Sequence, residues 1–340
     1  MRVPEGHNAP VGLQPSGAWT QPASRNTYSC SHRGPAVKRV VSISLGSSKR
    51  DKKVSARFFG EDFEIERIGA DGDMGRFREL VEELDGKVDA FGVGGTDIYV
   101  YAGGKRYVLQ EIVRLMSGAK KTPYVDGSGL KNTLEREAVT WLQESGTVDF
   151  RTKSVLMVCS VDRFGMAEAL AANARSVVYG DLMFSLGIPV ALHSWESTQR
   201  LAKVLLPVAV RLPFKWIYPT GEKQEENTPK YEPYFRSAEV IAGDFHFIRR
   251  YMPATLTGKI VLTNTITEDD TVELQKRGVH LLITTTPVFD GRSFGTNVME
   301  AVLVTLLGRR PESLSPEDYM SKFRELQWKP SVRELNPAPT

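Results

Sequence analysis

The chain has 340 residues, of which 41% are hydrophobic and 25% charged, and its formal net charge is +3. This composition is ordinary for a globular protein, and the length is sufficient for two domains. So small a net charge does not indicate nucleic-acid binding. No apolar run approaches the ~20 residues that cross a bilayer, and the N-terminus lacks the apolar core of a signal peptide. We therefore expect a cytoplasmic protein that does not bind membranes.

The chain divides into four parts. Residues 1–36 are rich in Pro, Gly, Ser and Asn without periodicity, which indicates a disordered tail or a start codon placed too early. Alternating strand and helix patterns predict an N-terminal α/β domain over residues 37–150. A Rossmann-like C-terminal domain is predicted over residues 151–310, and a polar tail with a short helix over residues 311–340. The predicted fold class is therefore α/β with two α/β domains, the second a parallel sheet with helices on both faces.

The cysteines and histidines do not form a recognisable metal or disulfide pattern. Cys30 lies in the predicted disordered tail, and Cys159 lies in an apolar strand. The five histidines are scattered and lack the H-E-x-x-H spacing. We therefore expect neither a disulfide framework nor a metal site.

The most polar glycine-rich turn of the first half runs from Asp126 to Thr133. It follows a short strand and opens a helix, so its N–H groups could face an anion. In that arrangement Lys131 and Asp126 would be a catalytic acid/base pair. The alternative is a helix entry with a solvated lysine. The turn lacks the G-x-x-x-x-G-K-[ST] spacing of a P-loop.

The turn Val161–Gly165 follows a buried strand, which is where a dinucleotide fingerprint would lie. Of the pattern G-x-G-x-x-G only Gly165 is present. Asp162 and Gly165 are candidate cofactor-binding residues at this turn. Helix capping is the alternative role for Asp162.

Two segments, VVYGDLMF (177–184) and VIAGDFHF (240–247), share a Gly-Asp pair after a strand. Asp181 and Asp244 would then either cap equivalent helices or bind ribose or substrate hydroxyls at the edge of the sheet. One such repeat is a weak indication of repeated geometry.

Residues 238–308 read as strands alternating with helices, which predicts a parallel sheet. Ligands bind beyond the carboxyl ends of the strands in such sheets. Further polar residues at these predicted ends are candidates for cofactor binding: Thr263, Asn264, Thr284, Thr285 and Thr286. The predicted substrate-binding residues come from the segment that leads into the next helix: Arg292, Ser293, Thr296 and Asn297. An arginine can grip a carboxylate with two hydrogen bonds, and a helix N-terminus favours negative charge.

Five segments carry a resemblance to a known family: SLGSSKRDK, DAFGVGGTDIY, VDGSGLKNTLERE, the Gly-Asp pair in VVYGDLMF, and ITTTP followed by GRSFGTNVMEA. With them the chain from Val37 to Gly308 resembles bacterial proteins labelled quinate 5-dehydrogenase. The resemblance implies NAD or NADP as cofactor and oxidation of a ring hydroxyl of quinate or a related hydroxylated carboxylic acid. Quinate and shikimate dehydrogenases have a Gly-rich nucleotide turn and a catalytic Lys/Asp pair, and this chain is similar to them in domain plan only.

The leading prediction is an NAD(P)-dependent oxidoreductase in which Lys131 moves a proton and Arg292 holds the carboxylate of a small anionic substrate. A homo-oligomer is compatible with the sequence. One alternative is a non-catalytic protein that closes its two domains on a nucleotide or phosphorylated metabolite. Another is a transferase that uses a sugar nucleotide.

Overall fold

The structure is a computed structural model that describes residues 37–213, 227–286, 288–289 and 292–338. Its first half contains seven strands: β1 Lys38–Ser44, β2 Lys52–Phe58, β3 Glu61–Gly69, β4 Ala90–Gly94, β5 Tyr99–Ala102, β6 Lys105–Val108 and β7 Tyr124–Val125. Five of them form the first sheet in the order β2-β3-β1-β4-β7, and β5 and β6 form a separate hairpin. Within the first sheet β2 is antiparallel to β3, and the other neighbours are parallel.

The second half contains eight further strands: β8 Ser154–Met157, β9 Ser176–Tyr179, β10 Val240–Ala242, β11 Ile260–Thr263, β12 Leu281–Thr284, β13 Val288–Phe289, β14 Arg292–Ser293 and β15 Ser331–Glu334. Six form the second sheet in the order β15-β12-β11-β10-β8-β9. All neighbours in it are parallel except β15, which is antiparallel to β12.

Twelve α-helices are present in the part of the chain that the structure describes. The first six are α1 Met74–Leu84, α2 Gln110–Leu115, α3 Ser128–Lys131, α4 Leu134–Glu144, α5 Phe164–Asn173 and α6 Asp181–Leu186. The other six are α7 Trp195–Ala209, α8 Glu232–Ser237, α9 Phe245–Tyr251, α10 Glu268–Lys276, α11 Thr296–Leu307 and α12 Pro316–Glu325.

Each sheet is covered on both faces, because successive residues of a strand point to opposite sides. In β1, Val41 packs with Phe77 of α1, whereas Val40 belongs to the cluster that contains Met299 of α11. The second sheet has two such clusters as well. The predicted α/β class, with a largely parallel second sheet covered by helices on both faces, is confirmed.

Helix α11 lies on the first sheet, although the sequence reading placed it in the domain that starts at residue 151. Its residues Met299 and Val302 are fully buried in one cluster with Val40 and Phe63. The apolar surface of a helix shows that it is buried, but it does not show against which sheet. The chain therefore returns to the first sheet after it has built most of the second.

The segment after residue 310 is part of the fold, which corrects the interpretation as a polar tail. We call the part of the fold built around the first sheet the first lobe, and the part built around the second sheet the second lobe. In α12, Tyr319 and Phe323 are buried in the core of the first lobe. Strand β15 pairs with β12 at the edge of the second sheet. Such an edge strand is held by backbone hydrogen bonds and needs no apolar alternation, so the sequence SVRE gave little strand signal.

Candidate functional site

The carboxyl ends of the parallel strands of both sheets open into one cleft of about 790 Å³. Polar residues at or just after these ends line it: Ser42, Ser44, Thr96, Asp97, Asp126, Asp162, Asp244, Asn264 and Thr284. This is the edge at which ligands bind in open α/β sheets. The volume lies within the range of small-molecule sites, about 300–1,000 Å³.

A cluster of buried ionic groups forms the bottom of the cleft. We call Asp97, Lys131, Asp162, Arg163 and Asp244 the charged floor. All five are less than 9% exposed, and all five line the cleft. Lys131 Nζ donates to Asp97 and, at 2.6 Å, to Asp162. The two lobes are thereby joined, because Lys131 ends α3 and Asp162 follows the first strand of the second sheet.

Arg163 extends this network into the second lobe. It pairs with Asp244, which caps α9 by accepting from His246 N, and its Nη1 lies 2.5 Å from Glu135 of α4. Its Nε lies 3.3 Å from Asp162. A buried guanidinium needs such partners, since an unpaired buried charge is very costly.

Burial disfavours the charged form of each floor group, and opposite charges favour it. Burial raises the pKa of Asp97 well above its usual range, and the carboxylate of Asp162 adds to this rise. Burial alone would raise the pKa of Asp162, but Lys131 and Arg163 lower it below the ordinary value. Burial alone would lower the pKa of Lys131, but Asp162 and Asp97 raise it. The pKa values of Asp97 and Asp162 are thereby shifted in opposite directions, although both carboxyl groups contact Lys131.

The partners of Lys131 differ from the pair that the sequence suggested. Asp126 lines the cleft, but its carboxylate accepts from the backbone N–H groups of Ile98, Tyr99 and Ser128 at 2.6–3.0 Å. It thus orders the turn into α3, and Lys131 pairs with Asp97 and Asp162 instead. Asp97 lies in the loop between β4 and β5, a part of the chain that spacing along the sequence does not connect to residue 131.

Two predicted cofactor residues lie elsewhere. Asp181 accepts from Ser160 N, Ser160 Oγ and Val161 N, and it lines a small apolar pocket of about 90 Å³ instead of the cleft. Gly165 permits a close approach, because a Cβ there would lie 2.5 Å from the carbonyl oxygen of Lys131. It therefore allows α5 to pack against the segment that carries Lys131.

The row of hydroxyls at the ends of β11 and β12 is only partly in the cleft. Asn264 and Thr284 line it. Thr263 is fully buried, and its hydroxyl donates to Gly243 O at 2.8 Å. Thr285 and Thr286 are buried as well and do not line the cleft, so their predicted ligand role is corrected. Thr285 N donates to Thr263 O and Thr286 N donates to Asn264 O, so the backbone pairing continues beyond the end of β12.

Of the predicted substrate residues, Thr296 and Asn297 line the cleft. Asn297 Nδ2 donates to Ser42 Oγ at 2.9 Å, which fixes the start of α11 against β1. The side chains of Arg292 and Ser293 lie outside the described residues. Their backbone forms β14, which pairs with β13.

Sequence reasoning missed most of the basic residues of the site. Arg163, Arg50, Lys52, Arg67 and Arg250 all line the cleft. Arg163 follows Asp162 just after a strand end, so the rule that ligands bind at the carboxyl ends of strands could have identified it. The other four lie on a short turn, on the antiparallel part of the first sheet and on α9, where position in the sequence gives no signal.

Taken together, the molecule is a two-lobed α/β protein with a polar cleft at the strand ends. Residues 129–335 match the family described as Domain of unknown function (DUF8754), and residues 39–126 match Domain of unknown function (DUF8753). Since the first match covers more than half of the chain, the chain belongs to the DUF8754 family. No curated protein matches the chain. The resemblance to quinate 5-dehydrogenases stays a prediction.

Among solved structures, a galactofuranose binding protein is 11% identical, with a TM-score of 0.34 over 88% of this chain and 95% of that chain. A periplasmic ribose ABC transporter protein from Conexibacter woesei is 9% identical, with a TM-score of 0.33 over 82% and 89%. An NAD-dependent malic enzyme from Thermotoga maritima is 11% identical, with a TM-score of 0.32 over 85% and 84%.

The predicted NAD(P)-dependent oxidoreductase is corrected by this comparison. Several of the similar structures are described as sugar-binding or ABC-transporter proteins and one as an NAD-dependent malic enzyme, so the comparison does not support the predicted reading. At such low identities and TM-scores, these structures do not identify what this chain binds. No helix among the described residues has the length and apolar character to span a membrane.

Proposed function

We propose that this protein is a non-catalytic binding protein that holds a small polyhydroxylated molecule in the cleft between its lobes. The charged floor is the observation that supports this best. Its charges are paired with one another at the meeting point of both sheets, so the floor offers hydrogen bonds on a fixed frame. Preorganised polar groups of this kind fix the orientation of a ligand.

The mixture of donors and acceptors suits hydroxyl groups, each of which donates one hydrogen bond and accepts up to two. The carboxylate of Asp162 accepts, whereas the ammonium of Lys131 donates. The amides of Asn264 and Asn297 do both, and they line the same cleft. A hydrogen bond to a charged group contributes about 1.5–3 kcal/mol, so a few such contacts select strongly for a polyol.

The same groups are poorly suited to acid–base or nucleophilic catalysis. A general base must be unprotonated, but the two carboxylates raise the pKa of Lys131 and keep it as a cation. The low pKa of Asp162 makes it a weak base. The thiol of Cys159 faces the small apolar pocket, and burial raises its pKa. These properties favour binding.

The charge of the lining favours a ligand with a negative group. Seven residues that line the cleft are Lys or Arg, and five are Asp or Glu. A small polyhydroxylated anion, such as a sugar acid or a sugar phosphate, matches both the floor and this excess.

The test of the floor uses neutral probes, namely a panel of pentoses, hexoses and cyclitols. A ligand of the native state raises the melting temperature, and a concentration of 100 Kd stabilises by about 2.7 kcal/mol. We expect at least one probe to raise the melting temperature and to be recovered unchanged by NMR. Asn297→Ala should weaken that binding about tenfold by calorimetry.

The matched control is Asn173→Ala, whose amide donates to Ala169 O within α5 and does not line the cleft. This variant should bind like the original protein. A panel in which no probe shifts the melting temperature contradicts the proposal. Conversion of the probe into a product contradicts its non-catalytic part.

A further inference from the structure

The upper part of the cleft carries basic groups from both lobes. We call Arg50, Lys52, His246 and Arg250 the basic rim; all four line the cleft. Arg50 and Lys52 belong to the first lobe, in the short 3-10 turn Ser48–Arg50 and at the start of β2. His246 and Arg250 belong to α9 of the second lobe.

The secondary structure explains why these side chains face the cleft. His246 and Arg250 are four residues apart, so they lie on the same side of α9. Arg249 points elsewhere and pairs with Asp270 and Glu273 at 3.3 and 3.5 Å. On β2, Lys52 and Val54 line the cleft, whereas the intervening Lys53 pairs with Glu64 at 2.9 Å.

The basic rim lacks the neutralising partners that the floor has. Among the described residues, none of Arg50, Lys52 and Arg250 forms an ion pair with a carboxylate, and Arg250 Nε is buried without a hydrogen-bond partner. Arg50 Nη1 instead lies 3.4 Å from Nε2 of His246 in the opposite lobe. Two nitrogen groups of basic side chains thus meet across the cleft.

The neighbourhood of Arg50 is crowded with positive charge. Burial and then the charge of Arg50 lower the pKa of Arg67. Desolvation by the surrounding protein likewise lowers the pKa of His246. Arg50 and Arg163 add to this decrease, whereas Asp244 opposes it. Like charges held this close repel one another, and an anion placed among them would relieve the repulsion.

We propose that the basic rim binds the oxyanion group of the ligand, a phosphate or a carboxylate, between Arg50 and Lys52 of one lobe and His246 and Arg250 of the other. The inference rests on the proposed function, since the floor would hold the hydroxyl groups of the same molecule. The anion would contact both lobes at once and so add a further link between them. Guanidinium groups suit this role because they donate to two oxygens of one oxyanion.

The test uses inorganic phosphate and acetate as separate probes, at an ionic strength held constant with potassium chloride. Constant ionic strength is needed because salt screens exposed charges. We expect phosphate, acetate or both to raise the melting temperature, and the larger shift identifies a phosphate or a carboxylate as the natural group. Lys52→Gln and Arg250→Gln should each weaken binding of that probe about tenfold, the loss of one charge-assisted hydrogen bond.

Two matched variants separate a site from general charge. Lys53→Gln and Arg249→Gln remove the same charges from neighbouring positions that face away from the cleft, and we expect affinities within twofold of the original. The proposal is overturned if neither anion binds beyond the effect of chloride. It is also overturned if Lys53→Gln weakens binding as much as Lys52→Gln. Because these probes carry no polyol, either failure is distinct from a failure of the sugar and cyclitol panel.

Discussion

Lys131 Nζ lies 2.6 Å from Asp162 Oδ1, and this buried contact joins the last residue of α3 to the turn that follows β8. The same ammonium also pairs with Asp97, but the pKa values of the two carboxyl groups are shifted in opposite directions. Burial raises the pKa of Asp97, whereas Lys131 and Arg163 lower the pKa of Asp162 below its ordinary value. The two partners of Lys131 therefore contribute to stability in different ways.

This difference predicts unequal effects of two similar substitutions. Asp162→Asn removes a buried negative charge from between Lys131 and Arg163, so we expect a loss of about 3 kcal/mol in the free energy of unfolding. Burial disfavours the charged form of Asp97, so we expect Asp97→Asn to cost less, below about 1 kcal/mol. Urea unfolding at pH 7 measures both, and equal losses would contradict the opposite pKa shifts of the two carboxyl groups.

A second prediction concerns Glu300, which is buried in α11 and accepts from Tyr319 Oη and Gly129 N at 2.9 and 3.1 Å. Burial, with a smaller contribution from Asp126, raises its pKa from 4.5 to about 8. The folded protein thus holds a proton that the unfolded chain releases near pH 4.5. The stability that this proton contributes is complete below pH 4.5 and decreases as the pH rises toward about 8.

Glu300→Gln should remove this part of the pH dependence. At pH 9 we expect the variant to be more stable than the original by up to about 5 kcal/mol, and at pH 5 the difference should be small. Urea unfolding at the two pH values measures the change. Tyr319→Phe is a useful comparison, because it removes a partner but keeps the carboxyl. Equal pH slopes for Glu300→Gln and the original protein would refute the raised pKa.

A third prediction distinguishes two threonines near the ends of adjacent strands. Thr284 lines the cleft, so Thr284→Val should weaken binding of a polyol probe by about tenfold with little loss of stability. Thr263 donates to Gly243 O inside the protein, so Thr263→Val should cost about 1 kcal/mol of stability and leave the affinity unchanged. Calorimetry measures the affinity and urea unfolding the stability. A loss of affinity in Thr263→Val and not in Thr284→Val would contradict the position of Thr284 in the cleft.

A fourth prediction concerns the contact between β4 and the start of α11. A Cβ at Gly92 would lie 3.0 Å from Asn297 Nδ2 and 3.1 Å from Asn297 O. Gly92→Ala should push α11 away from the sheet, at a cost of about 1–3 kcal/mol. It should also weaken polyol binding, because Asn297 moves with the helix. An unchanged melting temperature and affinity would mean that this contact can relax freely.

The sequence by itself determined the local structure and the edge at which the site lies. Apolar strands that alternate with helices, as at Ser176–Tyr179 and Lys259–Thr263, predicted the parallel second sheet, because such strands must be buried on both faces. The polar residues that follow them predicted a site at the carboxyl ends, and Lys131, Asp162, Asp244 and Asn297 line the cleft there.

Only the tertiary structure decided which of these residues meet. Lys131 pairs with Asp97, 34 positions earlier, and not with Asp126, since the loop between β4 and β5 lies beside α3 in space. Helix α11 lies on the first sheet, although it follows strands of the second. The local hydrophobic pattern of the sequence indicates whether a side chain is buried. Which partner it is buried against depends on contacts between distant parts of the chain, and these form only when both sheets have packed.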